Sequence, residues 1–79
     1  MPKVRLFAQA REAAGTGRAD LPGATVADVL QAARTRYGAG FAEVLEQSRV
    51  WVNGEPAELT QAVDDGDEVA VLPPVSGGC

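Results

Sequence analysis

Residues 68–79 read Glu68-Val69-Ala70-Val71-Leu72-Pro73-Pro74-Val75-Ser76-Gly77-Gly78-Cys79 and join two kinds of chain. Glu68 to Leu72 has the apolar, β-branched character of a strand. Pro73 and Pro74 lack backbone N–H groups and fix φ near about −65°, so they end any ladder arriving through Leu72 and send the chain out extended. Gly77 and Gly78 have no Cβ and can pass through a channel too narrow for other residues. Six residues from Pro73 to Gly78 span roughly 20 Å at full extension, enough to enter a partner's active site. A Ser-Gly-Gly-Cys ending alone also fits a disordered terminus or an added residue. The stiff Pro-Pro before it favours a presented arm.

Working outward, 79 residues allow one domain near the lower size limit for a single core. One cysteine and no histidine leave neither a disulfide framework nor a Cys/His zinc site to staple it. The thiol usage fits a reducing cytoplasm, and no apolar run approaches a membrane span. The start, Met1-Pro2-Lys3-Val4, has no signal-peptide pattern. A formal charge of −4, from 11 acidic and 7 basic residues, argues against nonspecific nucleic-acid binding and for protein partners.

Lys3 to Ala8 alternates, predicting a first strand with Val4, Leu6 and Ala8 on one face. Gln9 to Ala14 predicts a short helix closed by Gly15, and Thr16 to Leu21 a weak second strand before Pro22-Gly23. Thr25 reads as an N-cap, with Asp28 three residues on, for a main helix from Val26 to Arg36 ended by Gly38. Phe41, Val44 and Leu45 predict a further helical turn over the core. Arg49 to Asn53 alternates again, and Asn53-Gly54 signals a tight hairpin whose return strand is kept short or at an edge by Pro56. Asp64-Asp65-Gly66-Asp67 lacks the ligand alternation of a calcium loop and reads as a solvated turn before the last strand.

This order predicts an α+β fold: the β-grasp, ubiquitin-like mixed sheet packed on one main helix, with residues 1–72 as the domain and 73–79 as its extended tail. The alternation that turns Val4, Leu6, Val50 and Val52 inward turns Arg5, Phe7, Arg49 and Trp51 outward, joined by Leu72 from the last strand. Exposed aromatics beside arginine have the composition of interface hot spots, so this face is a candidate partner-binding surface. The competing reading folds Trp51 over the sheet edge to complete a small core.

Lys3-Val4-Arg5-Leu6-Phe7-Ala8-Gln9-Ala10-Arg11-Glu12, followed by Gly15, resembles the opening of the small subunit of molybdopterin synthase. Asp65 to Ala70 and Pro73 to Gly78 resemble its ending. Thiamine-pathway sulfur carriers share the fold, but the Phe-Ala-x-x-Arg-Glu opening and Pro-Pro-Val ending point to the molybdopterin branch. The resemblance implies a sulfur carrier, not an enzyme on its own and without a bound cofactor. An adenylating enzyme of the ubiquitin-activating type would use ATP to make a glycyl adenylate at Gly78. A persulfide donor would convert it to a thiocarboxylate. Bound to the synthase large subunit, that group would deliver sulfur to cyclic pyranopterin monophosphate for molybdenum cofactor biosynthesis.

Cys79 departs from the pattern, because it places Gly78 in a peptide bond. Removal by a protease, an added residue and a functional thiol are the three readings, taken in that order, since no neighbouring cation in sequence lowers the thiol pKa. Two further functions stay open: sulfur delivery for cysteine synthesis or tRNA thiolation, and ubiquitin-like modification of target lysines. No Ser/His/Asp set, Cys/His pair or phosphate-binding glycine loop supports independent catalysis.

Overall fold

Strand β1, Lys3–Leu6, lies beside β5, Glu68–Leu72, in parallel, and every other pairing in the sheet is antiparallel. The computed structural model describes residues 1–74. Between these strands run α1 (Ala8–Ala14), β2 (Arg18–Asp20), α2 (Val26–Tyr37), α3 (Ala39–Glu46), β3 (Arg49–Val52) and β4 (Glu55–Pro56). The sheet order is β2-β1-β5-β3-β4, so the final strand sits in the middle with neighbours on both sides. A parallel pair needs a long crossover, and the helices supply it over one face.

The first strand is shorter than its alternation predicts. Phe7 stays extended and its N–H reaches Val71 O at 3.3 Å, but Ala8 takes φ 49° and turns the chain into α1. Ala8 is therefore the first helical residue, exposed rather than the third inward residue of a strand. Gly15, at φ 78°, closes α1 with its N–H on Arg11 O, a left-handed cap that glycine adopts without steric cost. On β2, one of the two edge strands, the Thr16 hydroxyl accepts from Arg18 N–H and donates to Arg18 C=O, satisfying groups that would otherwise invite another strand.

Helix α2 starts as its sequence signals, with Asp28 N–H donating to Thr25 Oγ1 at 3.2 Å. Its two preceding free N–H groups, on Val26 and Ala27, donate to the carbonyls of Gln61 and Leu59. The loop after β4 thus completes the cap and is tied to the helix. The helix runs one residue past the expected end, to Tyr37. The expected further turn is a two-turn helix, α3, because Gly38 both ends α2 and opens the next helix.

Val4, Leu6, Val52, Val69 and Val71 line the inner sheet face, each 4% exposed or less, against Val29, Leu30 and Ala33 of α2. Phe41 from α3 is fully buried and its ring lies 5.2 Å from that of Tyr37. One main helix on the sheet is therefore only part of the arrangement; α3 contributes the largest buried side chain. Asn53 (φ 51°) and Gly54 (φ 84°) form the tight turn from β3 to β4, both left-handed as a two-residue hairpin of this hand requires.

Candidate functional site

Cross-strand partners in a sheet share a face, so the register fixes the composition of the outer side. Arg49 lies opposite Leu72, and Trp51 opposite Ala70 and Pro56. Arg5 lies between Ala70 and Arg18. Trp51, Leu72, Phe7, Arg5 and Arg49 therefore belong to one surface, as the alternation predicts. Trp51 is half-buried and stands outside the core cluster, on the face opposite the helices. Ala70, opposite both Arg5 and Trp51, puts a small side chain between them. The Arg5 guanidinium lies 5.7 Å from the Phe7 ring centroid, within cation–π range, and pairs with Glu68 at 3.5 Å.

The charge on this surface runs against that of the chain. Lys3, Arg5, Arg18 and Arg49 are on it, with Asp20 and Glu68 as its acidic residues, whereas the chain as a whole carries −4. Arg18 is a site residue the sequence analysis passes over, since a three-residue strand shows its facing only once paired with β1. Arg11 is another: its side chain lies along Gly17, and with Arg5 and Arg18 it lines a groove of about 420 Å³ beside Phe7. The Phe-Ala-x-x-Arg-Glu stretch contains Arg11, but nothing in its spacing places it next to Arg18.

The root of the tail is fixed by β5 and by the loop before it. Asn53 reaches across from the hairpin, its Oδ1 accepting from Glu68 N–H and its Nδ2 donating to Asp67 Oδ1, each at 2.9 Å. Asp67 Oδ2 accepts from Asp64 N–H at 2.7 Å. These bonds, Asn53 foremost and then the Asp64 N–H, lower the Asp67 carboxyl below its ordinary value by stabilising the ionised form. The acidic turn is thus a structural clasp at the start of β5. At the other end, Leu72 is half-buried, Pro73 follows, and Pro74 is exposed. Val75, Ser76, Gly77, Gly78 and Cys79 lie outside the described residues. No described helix is long and apolar enough to cross a membrane.

Residues 4–78 match the ThiS family. The chain is 42% identical to small archaeal modifier protein 1 of Haloferax volcanii, over 94% of this chain and 97% of the relative. The crystal structure of that protein superposes with a TM-score of 0.81, at 40% identity over 96% of this chain and 97% of the other. A putative molybdopterin converting factor subunit 1 from Pyrococcus furiosus gives 0.77, at 32% identity and coverage of 92% and 95%. A chain of the Amycolatopsis orientalis BexX/CysO complex gives 0.82, at 26% identity and coverage of 99% and 100%. These likenesses cover nearly the whole chain, from β1 to β5. The chain belongs to the ThiS family of small, ubiquitin-like sulfur carriers.

Proposed function

We propose that this chain carries sulfur as a C-terminal thiocarboxylate on Gly78 and serves as the small subunit of a molybdopterin synthase. The observation that most supports this reading is the placement of β5. The strand that bears the tail is central in the sheet, and its end, Leu72, lies beside Phe7 and Arg49 on the outer face. A partner that docks on that face receives the tail at its root.

The chemistry divides between the tail and its partners. A carboxylate is a poor electrophile, so an adenylating enzyme first lets a Gly78 oxygen attack the α-phosphorus of ATP, with pyrophosphate leaving. A persulfide sulfur then displaces AMP, and cleavage of the acyl disulfide by a thiol leaves the thiocarboxylate. These steps need no acid or base from the chain itself, and the catalytic groups are assigned to the partners. Its own part is to hold the face, aim the arm and keep side chains away from the reacting carbon. While Cys79 is attached, the Gly78 carbonyl is an amide, without a carboxylate oxygen to attack ATP. Adenylation at Gly78 therefore requires removal of Cys79.

Recipient choice has more than one supported reading, sulfur delivery for cysteine synthesis or tRNA thiolation among them, and two can be separated directly. Similarity to the Pyrococcus converting-factor subunit and the opening motif favour molybdopterin synthase. The 42% identity to a protein named as a modifier favours attachment to target lysines. The discriminating experiment loads the chain ending at Gly78 with its adenylating enzyme, ATP and a sulfur donor, and follows intact mass. The loaded protein is then offered either a synthase large subunit with cyclic pyranopterin monophosphate or lysine-bearing proteins. Sulfur transfer to the pterin supports the first reading; branched Gly78–lysine peptides without sulfur transfer replace it by the second.

A further inference from the structure

Arg5 on β1 and Arg18 on β2 are direct cross-strand partners. The bonds from Leu6 N–H to Gly17 O and from Leu21 N–H to Pro2 O mark the hydrogen-bonded positions of this ladder. Arg5 and Arg18 fall between such positions, in a narrow pair of the kind that brings side chains closest. Like charges placed opposite one another weaken strand pairing, so the arrangement has a cost. Arg11 joins them from α1, its side chain running past Gly17, where a Cβ would lie 3.5 Å from its Cδ and Nε. The three arginines line one groove of about 420 Å³, together with Phe7, Thr16 and Gly17.

No carboxylate lines that groove among the described residues. Of the acidic groups around it, Glu68 approaches Arg5 at 3.5 Å, an exposed pair of small worth. Asp20 lies opposite Lys3, and Glu12 borders the adjoining hollow with Arg11. Arg11 and Arg18 form no ion pair among the described residues. In a chain that carries −4, three guanidiniums are thus gathered around one space with little to neutralise them. A concave surface lined by one sign of charge concentrates ions of the other sign.

We propose that this groove, between β1, β2 and α1, binds an oligophosphate group, free or as part of a nucleotide. A carboxylate has one charge and fills one guanidinium fork, whereas three guanidiniums around a small space match a group with several charges and several outward oxygens. One phosphate monoester carries about −1.5 to −2 at neutral pH, and a second phosphate adds to that. The Thr16 hydroxyl is taken up by the Arg18 backbone, so the arginine side chains carry the recognition. Exposed Phe7, in the lining beside Arg5, adds a ring against which a nucleobase can rest. The proposal is independent of activation at Gly78.

The test uses the full chain, labelled with nitrogen-15, and follows its amide signals at constant ionic strength. Inorganic diphosphate, ADP, AMP and a capped diglutamate peptide are added in separate titrations. Diphosphate and ADP should give saturable shifts at Thr16, Gly17 and Arg18, and AMP and the peptide should bind about tenfold more weakly. Arg11→Gln and Arg18→Gln should each weaken diphosphate binding about tenfold, and Arg11→Lys, which keeps the charge but loses the fork, should weaken it as well. Arg49→Gln, on the same face but outside the groove, should leave it unchanged. Diphosphate should also raise the Tm of the parent chain, and that rise should be lost in Arg18→Gln. ADP binding more tightly than diphosphate supports the nucleotide as source, and equal binding supports the phosphate group alone. The proposal is overturned by shifts that do not saturate, by undiminished binding in Arg18→Gln, by equal weakening in Arg49→Gln, or by AMP matching diphosphate. It is overturned too if the peptide matches diphosphate, which would make the groove a docking patch for an acidic protein segment.

Discussion

Replacing Asn53 by alanine separates the forces that hold the root of the tail. Asn53 sits at φ 51°, where an alanine Cβ crowds the carbonyl and costs about 1–2 kcal/mol, while asparagine tolerates the conformation better. Its Oδ1 also accepts from Glu68 N–H at 2.9 Å, a bond whose loss costs about 0.5–1.5 kcal/mol. Together Asn53→Ala should cost about 2–3 kcal/mol, within a total stability of roughly 4–12 kcal/mol for a domain this size. That corresponds to a fall in Tm of roughly 10–20 °C. Asn53→Gly keeps the backbone conformation and loses the bonds, so it should cost about 1–2 kcal/mol, part of it through the freer unfolded chain. Urea unfolding followed by Trp51 fluorescence and circular dichroism gives both values, provided the two probes coincide and the slope is unchanged. A carboxyl titration by NMR should show Asp67 returning toward its ordinary value in both variants, because Asn53 is the main cause of its lowering. Asn53→Ala within about 0.5 kcal/mol of the parent, or Asn53→Gly the weaker of the two, would refute the reasoning.

Other consequences follow from single contacts. Phe41→Ala empties the largest fully buried position and should cost about 3–5 kcal/mol by urea unfolding, a large share of the total stability. A Cβ on Gly23 would lie 2.6 Å from Val29 N, inside α2, so Gly23→Ala should cost about 1–3 kcal/mol by the same measurement. Asp67 has a lowered folded pKa, so its contribution is complete above the unfolded pKa and fades as pH falls through the lower folded value. Asp67→Asn should therefore be less stable at neutral pH and lose less stability over that acidic window, as stability curves for the two proteins will show. Phe7→Ala and Trp51→Ala should weaken binding to the adenylating enzyme by calorimetry while moving Tm by only a few degrees; unchanged affinity with a large fall in Tm would assign both rings to the core.

Much of this fold could be read from local chemistry because each signal acts within a few residues. Thr25 and Asp28 define a helix start by a bond three residues long, and Asn53-Gly54 defines a turn by its own φ angles. Alternation in Arg49 to Val52 and Glu68 to Leu72 separates inward from outward residues, and the register confirms that separation. Ala8 was misplaced because its composition suits both strand and helix; what decides it is the turn after Phe7, set by packing of Ala10 into the core. The length of α3 was understated for a similar reason, since Gly38 can stop a helix and also start one. Arg11 and Arg18 were invisible as a pair because their proximity depends on β1–β2 pairing and the path through Gly17. The clasp at Asp67 was hidden too: it joins residues fourteen apart through side chains.

The position of β5 bears on how so small a domain could carry the proposed C-terminal arm. An edge strand would expose its outer backbone groups and could peel away when a partner draws on the tail. Here Glu68–Leu72 is hydrogen-bonded to β1 on one side and β3 on the other, and Val69 and Val71 are fully buried between them. Detaching it would break both ladders and open the core, so local release of the tail's root approaches the cost of global unfolding. In the proposed function, a partner would then draw on the arm without loosening its anchor. The same placement puts Ala70 and Leu72 on the outer face beside Trp51 and Arg49. In the proposed function, docking on that face and delivery of the tail would therefore depend on one strand: a substitution that shifts the register of β5 by a single residue would bury Ala70 and Leu72, expose Val69 and Val71, and misdirect the arm in one step.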